Sequence, residues 1–188
     1  LANGVFGGRV LTMALTESDG GCEASAMNLM AVRKGDEWVM NGTKLFVPDA
    51  LAADYVLCVA RTSEDSIPEK GLTIFLVETK TPGVNITPLK TVSKDKQYEI
   101  GFSNLCLKPE SIVGPADGAW PTINTVINMG GLARAAETVG VMRAVLDMTV
   151  AYARERVQFG RPIGSFQAIQ HFLAEMWVDI LGARSLVR

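Results

Sequence analysis

The hydrophobic pattern of this chain changes once, close to Asp117–Gly118. Before that point, short apolar runs are separated by polar segments that contain glycine and proline, and after it apolar residues recur every three or four positions. Short runs bounded by turn signals are typical of strands, whereas the longer spacing is typical of helices. The sequence therefore predicts an α+β fold, with a β-domain over residues 1–117 and a helical domain over residues 118–188.

The first domain is predicted to be rich in strands, because each of its apolar runs is bounded by turn-forming residues. Gly20-Gly21, residues 34–36 and residues 81–83 read as tight turns, and the polar segments 63–71 and 109–117 read as loops. Strands at this spacing are typical of an antiparallel sandwich or barrel. The predicted strands are 10–15, 24–33, 37–45, 55–61, 72–78, 84–88 and 100–107.

The second domain is predicted to start with two long helices of an up-down bundle. Pro121 suits the first turn of a helix, and the first helix is apolar around much of its circumference, which favours burial in a bundle. The second helix is predicted to begin after Gly164, with Ser165 as its N-cap. The apolar stripes are Ala135, Val139, Met142, Leu146, Thr149 and Ala153, then Val141, Val145, Met148 and Tyr152, and on the second helix Phe166, Ile169, Leu173, Met176, Trp177 and Ile180.

Both ends of the sequence lead us to expect a fragment of a longer protein. The chain begins with Leu1 rather than methionine, and it stops at Arg188 inside an amphipathic pattern without a capping glycine. Neither predicted helix has a partner hairpin in this sequence, so a complete bundle requires further sequence or another subunit.

Charge and composition exclude several classes of protein. The 188 residues include 18 basic and 20 acidic side chains, a net charge of −2, which argues against a nucleic-acid binder with a basic face. A hydrophobic content of 48% argues against a disordered chain. Neither a membrane span nor a signal peptide is predicted. Cys22, Cys58 and Cys106 are far apart, which argues against a disulfide scaffold or zinc site and favours a reducing, cytosol-like compartment.

Several common catalytic motifs are absent from the sequence. It contains neither a G-x-x-x-x-G-K-[ST] loop, nor a G-x-G-x-x-G turn after a strand, nor a G-x-S-x-G elbow. The single histidine, His171, reads as part of a polar helix face with Glu175 and Asp179. One histidine excludes a His-rich metal site and leaves a hydrolase triad without a second element, so no metal site is predicted.

Three segments have more specific patterns. Residues 13–23 (MALTESDGGCE) lead from a strand into a glycine turn with hydroxyl and carboxylate groups, and residues 42–50 read GTKLFVPDA. Residues 152–170 (YARERVQFGRPIGSFQAIQ) link the two predicted helices through a turn rich in glycine and proline, with clustered arginines and glutamines. Taken singly, they also fit a hairpin turn, an edge strand with a proline, and an αα-hairpin with a charged rim.

Taken together and in this order, the three segments resemble the acyl-CoA dehydrogenase family. Residues 152–170 are similar over their whole length to the family's Y-A-x-x-R-x-Q-F-G-x-P-I-x-x-F-Q-A-I-Q run. Residues 16–23 resemble its T-E-P-x-x-G-S-D turn, and residues 44–50 resemble its K-x-[FW]-[IV]-[ST]-[ND]-[AG] strand. The resemblance covers essentially the whole sequence and corresponds to the family's middle β-domain and the first part of its C-terminal helical domain.

The resemblance implies a reaction, a cofactor and partners. Members of the family bind FAD and oxidise an acyl-CoA thioester to the trans-2-enoyl-CoA: a glutamate removes the α-proton, the β-hydride goes to flavin N5, and electrons pass to an electron-transfer flavoprotein. The chain is thus expected to belong to an oxidoreductase of fatty acid metabolism that forms a homodimer or homotetramer. The expected location is the cytoplasm, or the mitochondrial matrix in a eukaryote. No catalytic residue is assigned, because in most members the base lies beyond the position of Arg188.

The same resemblance implies the site residues. Thr16 would bond the pyrimidine side of the flavin, Phe46 would pack on its ring, and the turn 20–22 would approach the pyrophosphate and the thioester end of the substrate. Arg156 would reach the FAD of a neighbouring subunit near its pyrophosphate. The implied cofactor-binding residues are Met13, Leu15, Thr16, Gly21, Cys22, Phe46, Val47, Pro48, Arg156, Gln158, Phe159 and Gln167, and the implied substrate-binding residues are Cys22, Asn128 and Gly131.

The sequence departs from the family pattern at several of these positions. Pro48 stands where the family usually has serine or threonine, whose hydroxyl bonds flavin N5, and proline offers neither a hydroxyl nor an N–H. Cys22 replaces the usual serine, and Asp19 would place a negative charge near the pyrophosphate unless it points outward. Gly130-Gly131 stands where many members have an acid or threonine followed by an arginine that contacts CoA, and two glycines would make room for a ligand or break the helix.

These departures leave two alternatives to an active dehydrogenase. One is a degenerate, non-catalytic relative that keeps the fold for assembly or acyl-CoA binding. The other is a relative with another flavin reaction, such as an acyl-CoA oxidase or a nitroalkane-oxidase-like enzyme. The length and branching of the acyl group do not follow from these residues.

Overall fold

A computed structural model describes residues 4–6 and 8–188. The chain forms two compact units, Leu1–Ile127 and Asn128–Arg188. The first unit holds a nine-stranded sheet and the first turns of a long helix, and the second holds the rest of that helix, a small hairpin and a second helix. None of the helices in residues 4–6 and 8–188 is long and apolar enough to cross a membrane.

The strands of the first unit follow the predicted apolar runs closely. The runs 55–61 and 72–78 are strands with the predicted bounds, and two short strands at residues 4–6 and 112–113 were not predicted. The nine strands are β1 Gly4–Phe6, β2 Arg9–Ala14, β3 Met30–Lys34, β4 Glu37–Pro48, β5 Tyr55–Arg61, β6 Leu72–Glu78, β7 Val84–Leu89, β8 Gln97–Leu107 and β9 Ile112–Val113.

The prediction of one strand over residues 24–33 is wrong in its first half. Ala24–Ala26 form a 3₁₀ turn, and β3 begins only at Met30. Side chains satisfy the backbone of this stretch in place of a strand ladder. The Arg61 guanidinium donates to the carbonyls of Ala24 and Met27, and the Glu17 carboxylate accepts from the N–H groups of residues 28 and 29.

The sheet is mixed rather than purely antiparallel, which corrects the prediction. β5 pairs antiparallel with β6 along its whole length, whereas its other edge pairs parallel with β2 and, through one pair of residues, with β3. Strands β3, β4, β8 and β7 follow one another in antiparallel pairs. Among the described strands the path does not close into a barrel, and a sandwich-like layering is consistent with this order.

Strand β4 is bent by two irregularities, between Met40 and Gly42 and between Lys44 and Val47. Gly42 has φ +139°, a backbone conformation that residues with a Cβ rarely adopt, so this position favours glycine. Phe46 lies in the left-handed region, with φ +54°. Such bulges redirect side chains, and here they redirect the end of β4.

The core of the first unit consists of two clusters. The larger includes Met40, Phe75, Ile100 and Leu105, all completely buried. The smaller cluster comprises Ala24, Met27, Val59, Leu72, Ile74, Ala119 and Ile123. Ala119 immediately precedes helix α1, Trp120–Glu155, and Ile123 lies in its first turn, so the start of α1 packs on the sheet. Pro121 lies in the first turn, as predicted.

In the second unit, α1 is followed by the hairpin of β10 Val157–Gln158 and β11 Arg161–Pro162, and then by α2, Gln167–Val187. Ser165 is not the N-cap of α2, which corrects the prediction: its hydroxyl donates to the Pro162 carbonyl at 2.7 Å within a 3₁₀ turn, and Phe166 occupies the cap position. Helix α1 runs unbroken through Gly130-Gly131.

Candidate functional site

A pocket of about 160 Å³ lies in the first unit, where β2 and β4 end and α1 begins. Six of its nine lining residues belong to the set that the sequence implied. Thr16 and Cys22 supply the polar side chains among the described residues that line it, and the rest of the lining is apolar. The lining residues are Met13, Leu15, Thr16, Cys22, Leu45, Phe46, Pro48, Val126 and Ile127.

One wall of the pocket is the exit of β2. Thr12 and Ala14 are buried, whereas Met13 and Leu15 on the opposite face of the strand line the pocket. Beyond the strand, the Thr16 carbonyl accepts the N–H of Leu45 at 2.8 Å, which joins this exit to β4. The half-buried Thr16 therefore lies at the junction of the two strands, where it lines the pocket.

The opposite wall is the end of β4. Phe46 lines the pocket and is 54% exposed, and its left-handed backbone belongs to the second bulge. Pro48 also lines the pocket, and its carbonyl accepts the hydroxyl of the buried Thr12 at 2.7 Å. Val47 lies between them but belongs to the large core cluster, so its side chain is not part of the pocket lining.

The glycine turn lies beside the pocket and contributes Cys22 to its lining. Gly20 and Gly21 both have positive φ, and a Cβ at Gly21 would come within 2.5 Å of Glu23 Oε2. The Cys22 N–H donates to that carboxylate at 3.1 Å. Asp19 is exposed.

A buried ion pair connects the two walls, and the sequence analysis did not find it. Lys44 is completely buried, and its ammonium donates to Glu17 Oε1 at 2.6 Å and to the Leu15 carbonyl at 2.9 Å. The strand pattern contained a signal for a buried lysine. Met40 and Lys44 are four residues apart in one strand, a spacing that places them on the same face, and both are buried. A lysine at an inward-facing strand position requires a buried acceptor.

Val126 and Ile127 were also missed. They come from the second turn of α1, and nothing in the local sequence indicates that this turn faces β2 and β4. Among the cysteines, burial raises the pKa of the Cys58 thiol to about 12. Cys58 lies in the large core cluster, whereas Cys22 is exposed at the pocket.

The implied residues of the third segment surround the hairpin of the second unit. Val157 and Gln158 pair with Pro162 and Arg161, and the two turn residues, Phe159 and Gly160, have φ +54° and +79°. Two left-handed turn residues are typical of the tight turns that suit hairpins. Arg156, Gln158, Phe159 and Gln167 are all exposed, and Phe159 is exposed to 94%.

Aromatic contacts hold this hairpin against the start of α2. The ring centroids of Phe159 and Phe166 are 6.1 Å apart in an edge-to-face arrangement, and the Arg161 guanidinium lies 4.2 Å from the Phe166 centroid. The Arg156 carbonyl accepts the Ile163 N–H at 2.8 Å. The hairpin thus presents an exposed aromatic ring beside exposed arginine and glutamine side chains.

The implied substrate residues Asn128 and Gly131 lie on α1 in the second unit, and both are exposed. A larger and more polar depression of about 490 Å³ in the first unit contains Glu17, Asn28 and Glu99 but none of the implied site residues. Within residues 4–6 and 8–188, no three His, Cys, Asp or Glu side chains are grouped so that they could hold a metal ion.

Two protein-family models match the chain. Residues 12–105 match the acyl-CoA dehydrogenase middle domain, and residues 117–188 match the acyl-CoA dehydrogenase C-terminal domain. A glutaryl-CoA dehydrogenase of Desulfococcus multivorans is 35% identical over 176 residues, which cover 92% of this chain and 45% of that protein. The chain spans about half the length of the curated relatives that it matches.

Solved structures show the same similarity. Butyryl-CoA dehydrogenase of Megasphaera elsdenii has a TM-score of 0.87 at 29% identity, covering 95% of this chain and 48% of that chain. A glutaryl-CoA dehydrogenase of Mycobacterium smegmatis, solved in complex with FADH2, has a TM-score of 0.83 at 27% identity, covering 95% of this chain and 45% of that one.

Proposed function

Because the chain belongs to the acyl-CoA dehydrogenase family, we propose that the protein containing it is an FAD-dependent acyl-CoA dehydrogenase. The reaction is the α,β-dehydrogenation of an acyl-CoA thioester to the trans-2-enoyl-CoA, with electrons passed to an electron-transfer flavoprotein. The chain supplies the middle β-domain, residues 1–117, and the first two helices of the C-terminal domain, residues 118–188. The general base is not assigned to a residue of this chain.

The observation that carries this proposal is the pocket at the ends of β2 and β4. Two segments that are far apart in sequence meet there and form apolar walls with one hydroxyl and one partly exposed phenylalanine. An isoalloxazine ring needs a flat apolar surface that excludes water and a few polar groups that fix its orientation. The residues present fit that requirement, and a bound flavin would supply the hydride acceptor.

Each wall has its own task. Met13, Leu15 and Leu45 exclude water from the ring face, and Phe46 packs against it. The Thr16 hydroxyl would bond the pyrimidine side of a bound flavin. The glycine turn at residues 20–22 lets the backbone approach a phosphate or thioester closely, because no Cβ obstructs Gly20 and Gly21.

The exposed groups of the hairpin would serve a second copy of the protein. In a homodimer or homotetramer, the exposed Arg156, Gln158, Phe159 and Gln167 would reach the FAD of a neighbouring subunit. Arginine suits this position because its guanidinium forms a fixed fork that matches phosphate oxygens. Cys22, Asn128 and Gly131 face the acyl-CoA. The location is the cytoplasm, or the mitochondrial matrix in a eukaryote, and the pathway is fatty acid metabolism.

Anaerobic reduction of the complete protein tests the proposal. The purified protein should show a flavin absorption spectrum, and an acyl-CoA of suitable chain length should bleach it and yield one equivalent of the enoyl-CoA. A panel of straight and branched acyl-CoAs identifies the substrate, and the corresponding free acids serve as the control. Protein that binds no FAD, or whose flavin no acyl-CoA bleaches, contradicts the proposal.

A second candidate is a non-catalytic family member that serves assembly or acyl-CoA binding. Pro48 and Cys22 favour it, because both line the pocket at positions where the family usually places a hydroxyl. The same experiment separates the two functions: binding of acyl-CoA without bleaching, or without FAD, supports the non-catalytic role.

The role of Arg156 is tested by Arg156→Ala in the complete protein. We expect FAD to dissociate at least tenfold more readily, equivalent to about 1.4 kcal/mol, with little change in the melting temperature of the apoprotein. Arg154→Ala is the matched control, because it removes an exposed arginine two residues away that was not assigned to the cofactor. Equal FAD content in Arg156→Ala and the unaltered protein contradicts this role.

A further inference from the structure

Both charged groups of the Lys44–Glu17 ion pair have hydrogen-bond partners besides each other. The ammonium donates to the Glu17 carboxylate and to the Leu15 carbonyl, and the carboxylate also accepts the N–H groups of Asn28 and Leu29 at 3.0–3.1 Å. Burying two charges is expensive, and apolar residues of similar volume often stabilise a fold as well or better. General stability therefore does not account for a charged pair at this place.

The location of the pair suggests what it does. Both acceptors of Lys44 lie in the segment 15–17, on either side of Thr16. Lys44 itself is followed in β4 by Leu45 and Phe46, and all three neighbours, Thr16, Leu45 and Phe46, line the pocket. The ammonium thus fixes one wall of the pocket against the other.

The backbone between these contacts is strained. Phe46 has φ +54°, a region that a residue with a Cβ seldom adopts unless its surroundings hold it there. On one side of Phe46 lies the Lys44 contact, and on the other side the hydroxyl of the buried Thr12 donates to the Pro48 carbonyl at 2.7 Å. The contacts of Lys44 and of Thr12 thus lie on either side of Phe46 in the sequence of β4, and both join β4 to β2 or to the segment that follows it.

We propose that Lys44 is a positioning residue for the flavin face of the pocket: through Glu17 and the Leu15 carbonyl it holds Thr16 and the left-handed Phe46 in binding geometry. Thr12 performs the same task at Pro48. The inference rests on the proposed function, because flavin is the group that this geometry would serve. It predicts that losing Lys44 loosens residues 45–48 and weakens FAD binding more than it weakens the fold.

The test compares Lys44→Met with Arg61→Met in the complete protein. Arg61 is a suitable control because its guanidinium also bonds several backbone carbonyls in the same unit, yet it does not line the pocket. We expect Lys44→Met to raise the FAD dissociation constant at least tenfold and Arg61→Met to raise it less than threefold. Amide exchange in the apoprotein should rise at residues 45–47 in Lys44→Met alone.

A double variant, Glu17→Gln with Lys44→Met, separates position from stability. The glutamine carbonyl still accepts N–H groups of residues 28 and 29, and no buried carboxylate is left without its cation, so the melting temperature of the apoprotein should recover relative to Lys44→Met. The FAD dissociation constant should stay raised, because methionine at position 44 offers no donor to the Leu15 carbonyl and β4 is no longer held to the segment 15–17 through that side chain. Recovery of FAD affinity together with melting temperature overturns the proposal.

Thr12→Val decides the matter if Lys44→Met does not fold. It replaces only the hydroxyl that holds the Pro48 carbonyl, and it should raise both the FAD dissociation constant and amide exchange at residues 45–47. Unchanged exchange and unchanged affinity overturn the proposal while the proposed function stands. If the unaltered protein binds no FAD, the proposed function fails, and the exchange measurement still decides whether Lys44 and Thr12 brace this segment.

Discussion

The two units of the chain complete their cores to very different degrees. The first unit has two clusters of buried apolar residues, and its completely buried Lys44 bonds the carboxylate of Glu17. In the second unit, Leu146, Ala153 and Ile180 are buried, whereas Val141, Val145, Met148 and Tyr152 are 47–72% exposed. An apolar stripe on a helix thus predicts a surface suited to packing, but whether the stripe is buried depends on which other elements pack against it.

The electrostatic contacts differ in the same way. The first unit uses side chains to satisfy the backbone, as Glu17 and Arg61 do around residues 24–29. In the second unit, Arg134 pairs with Glu137 and Arg143 pairs with Asp147, and both pairs join exposed side chains along one helix. Exposed pairs of this kind contribute little to stability, so the second unit depends on whatever covers its apolar stripes.

The largest expected effect is in the core of the first unit. Phe75 is completely buried and meets Trp38 edge to face, with ring centroids 6.0 Å apart. Phe75→Ala should lower the free energy of unfolding by about 3–5 kcal/mol, because it removes a buried ring and leaves a cavity. Val92→Ala, at a fully exposed position, should change it by less than about 0.5 kcal/mol. Denaturant titration of the complete protein measures both, and equal effects would contradict the core described here.

The second largest effect is expected at the exposed apolar stripe of α1, Val141, Val145, Met148 and Tyr152. If the exposed stripe of α1 is covered in the complete protein, as the expected bundle requires, Met148→Asp there places an unpaired charge in an apolar contact. The free energy of unfolding should then fall by about 3 kcal/mol. Val92→Asp is the control, again with an expected change below about 0.5 kcal/mol. A harmless Met148→Asp would mean that the stripe stays exposed.

The same contrast shows what the sequence can predict. Strands 55–61 and 72–78 followed directly from apolar runs and turn signals, because those signals are local. The parallel pairing of β2 with β5 did not, because it joins segments separated by the whole β3–β4 hairpin. Likewise Met13, Thr16, Phe46 and Pro48 were predicted as a set through the family resemblance, and the structure brings them together. Val126 and Ile127 join them only through tertiary packing of α1.

A smaller effect is expected at Pro48, which lines the pocket without a hydroxyl or an N–H. Under the proposed function, Pro48→Thr should restore a hydrogen bond that strengthens in the transition state, worth about 1.5–3 kcal/mol or one to two powers of ten in rate. Stopped-flow bleaching of the flavin by substrate measures the rate, and Pro48→Ala controls for the freed backbone. An unchanged rate with FAD still bound would mean that position 48 does not face the reacting atoms.

The smallest effect is expected at Asp54. Its carboxylate accepts a backbone N–H of β2, much as the Glu17 carboxylate accepts the N–H groups of residues 28 and 29. The Asp54 carboxylate accepts the Val10 N–H at 2.9 Å, and that backbone hydrogen bond, aided by Arg9, holds the pKa of Asp54 below its ordinary value of 3.8. A carboxyl with a lowered pKa in the folded state contributes stability above pH 3.8, and this contribution is lost as the pH falls through the folded-state pKa.

Asp54→Asn should therefore reduce the loss of stability at acid pH and change the stability at neutral pH little. The asparagine carbonyl still accepts the Val10 N–H at neutral pH but does not titrate, so the melting temperature should fall less steeply below pH 4 than it does in the unaltered protein. Asp147→Asn, which breaks an exposed pair in the second unit, should change the free energy of unfolding at neutral pH by less than about 0.5 kcal/mol. A carboxylate that accepts a backbone N–H and has a lowered pKa must make stability depend on pH. If Asp54→Asn and the unaltered protein lose melting temperature equally below pH 4, the contact between Asp54 and the Val10 N–H does not contribute in this way, and it does not distinguish the first unit from the second.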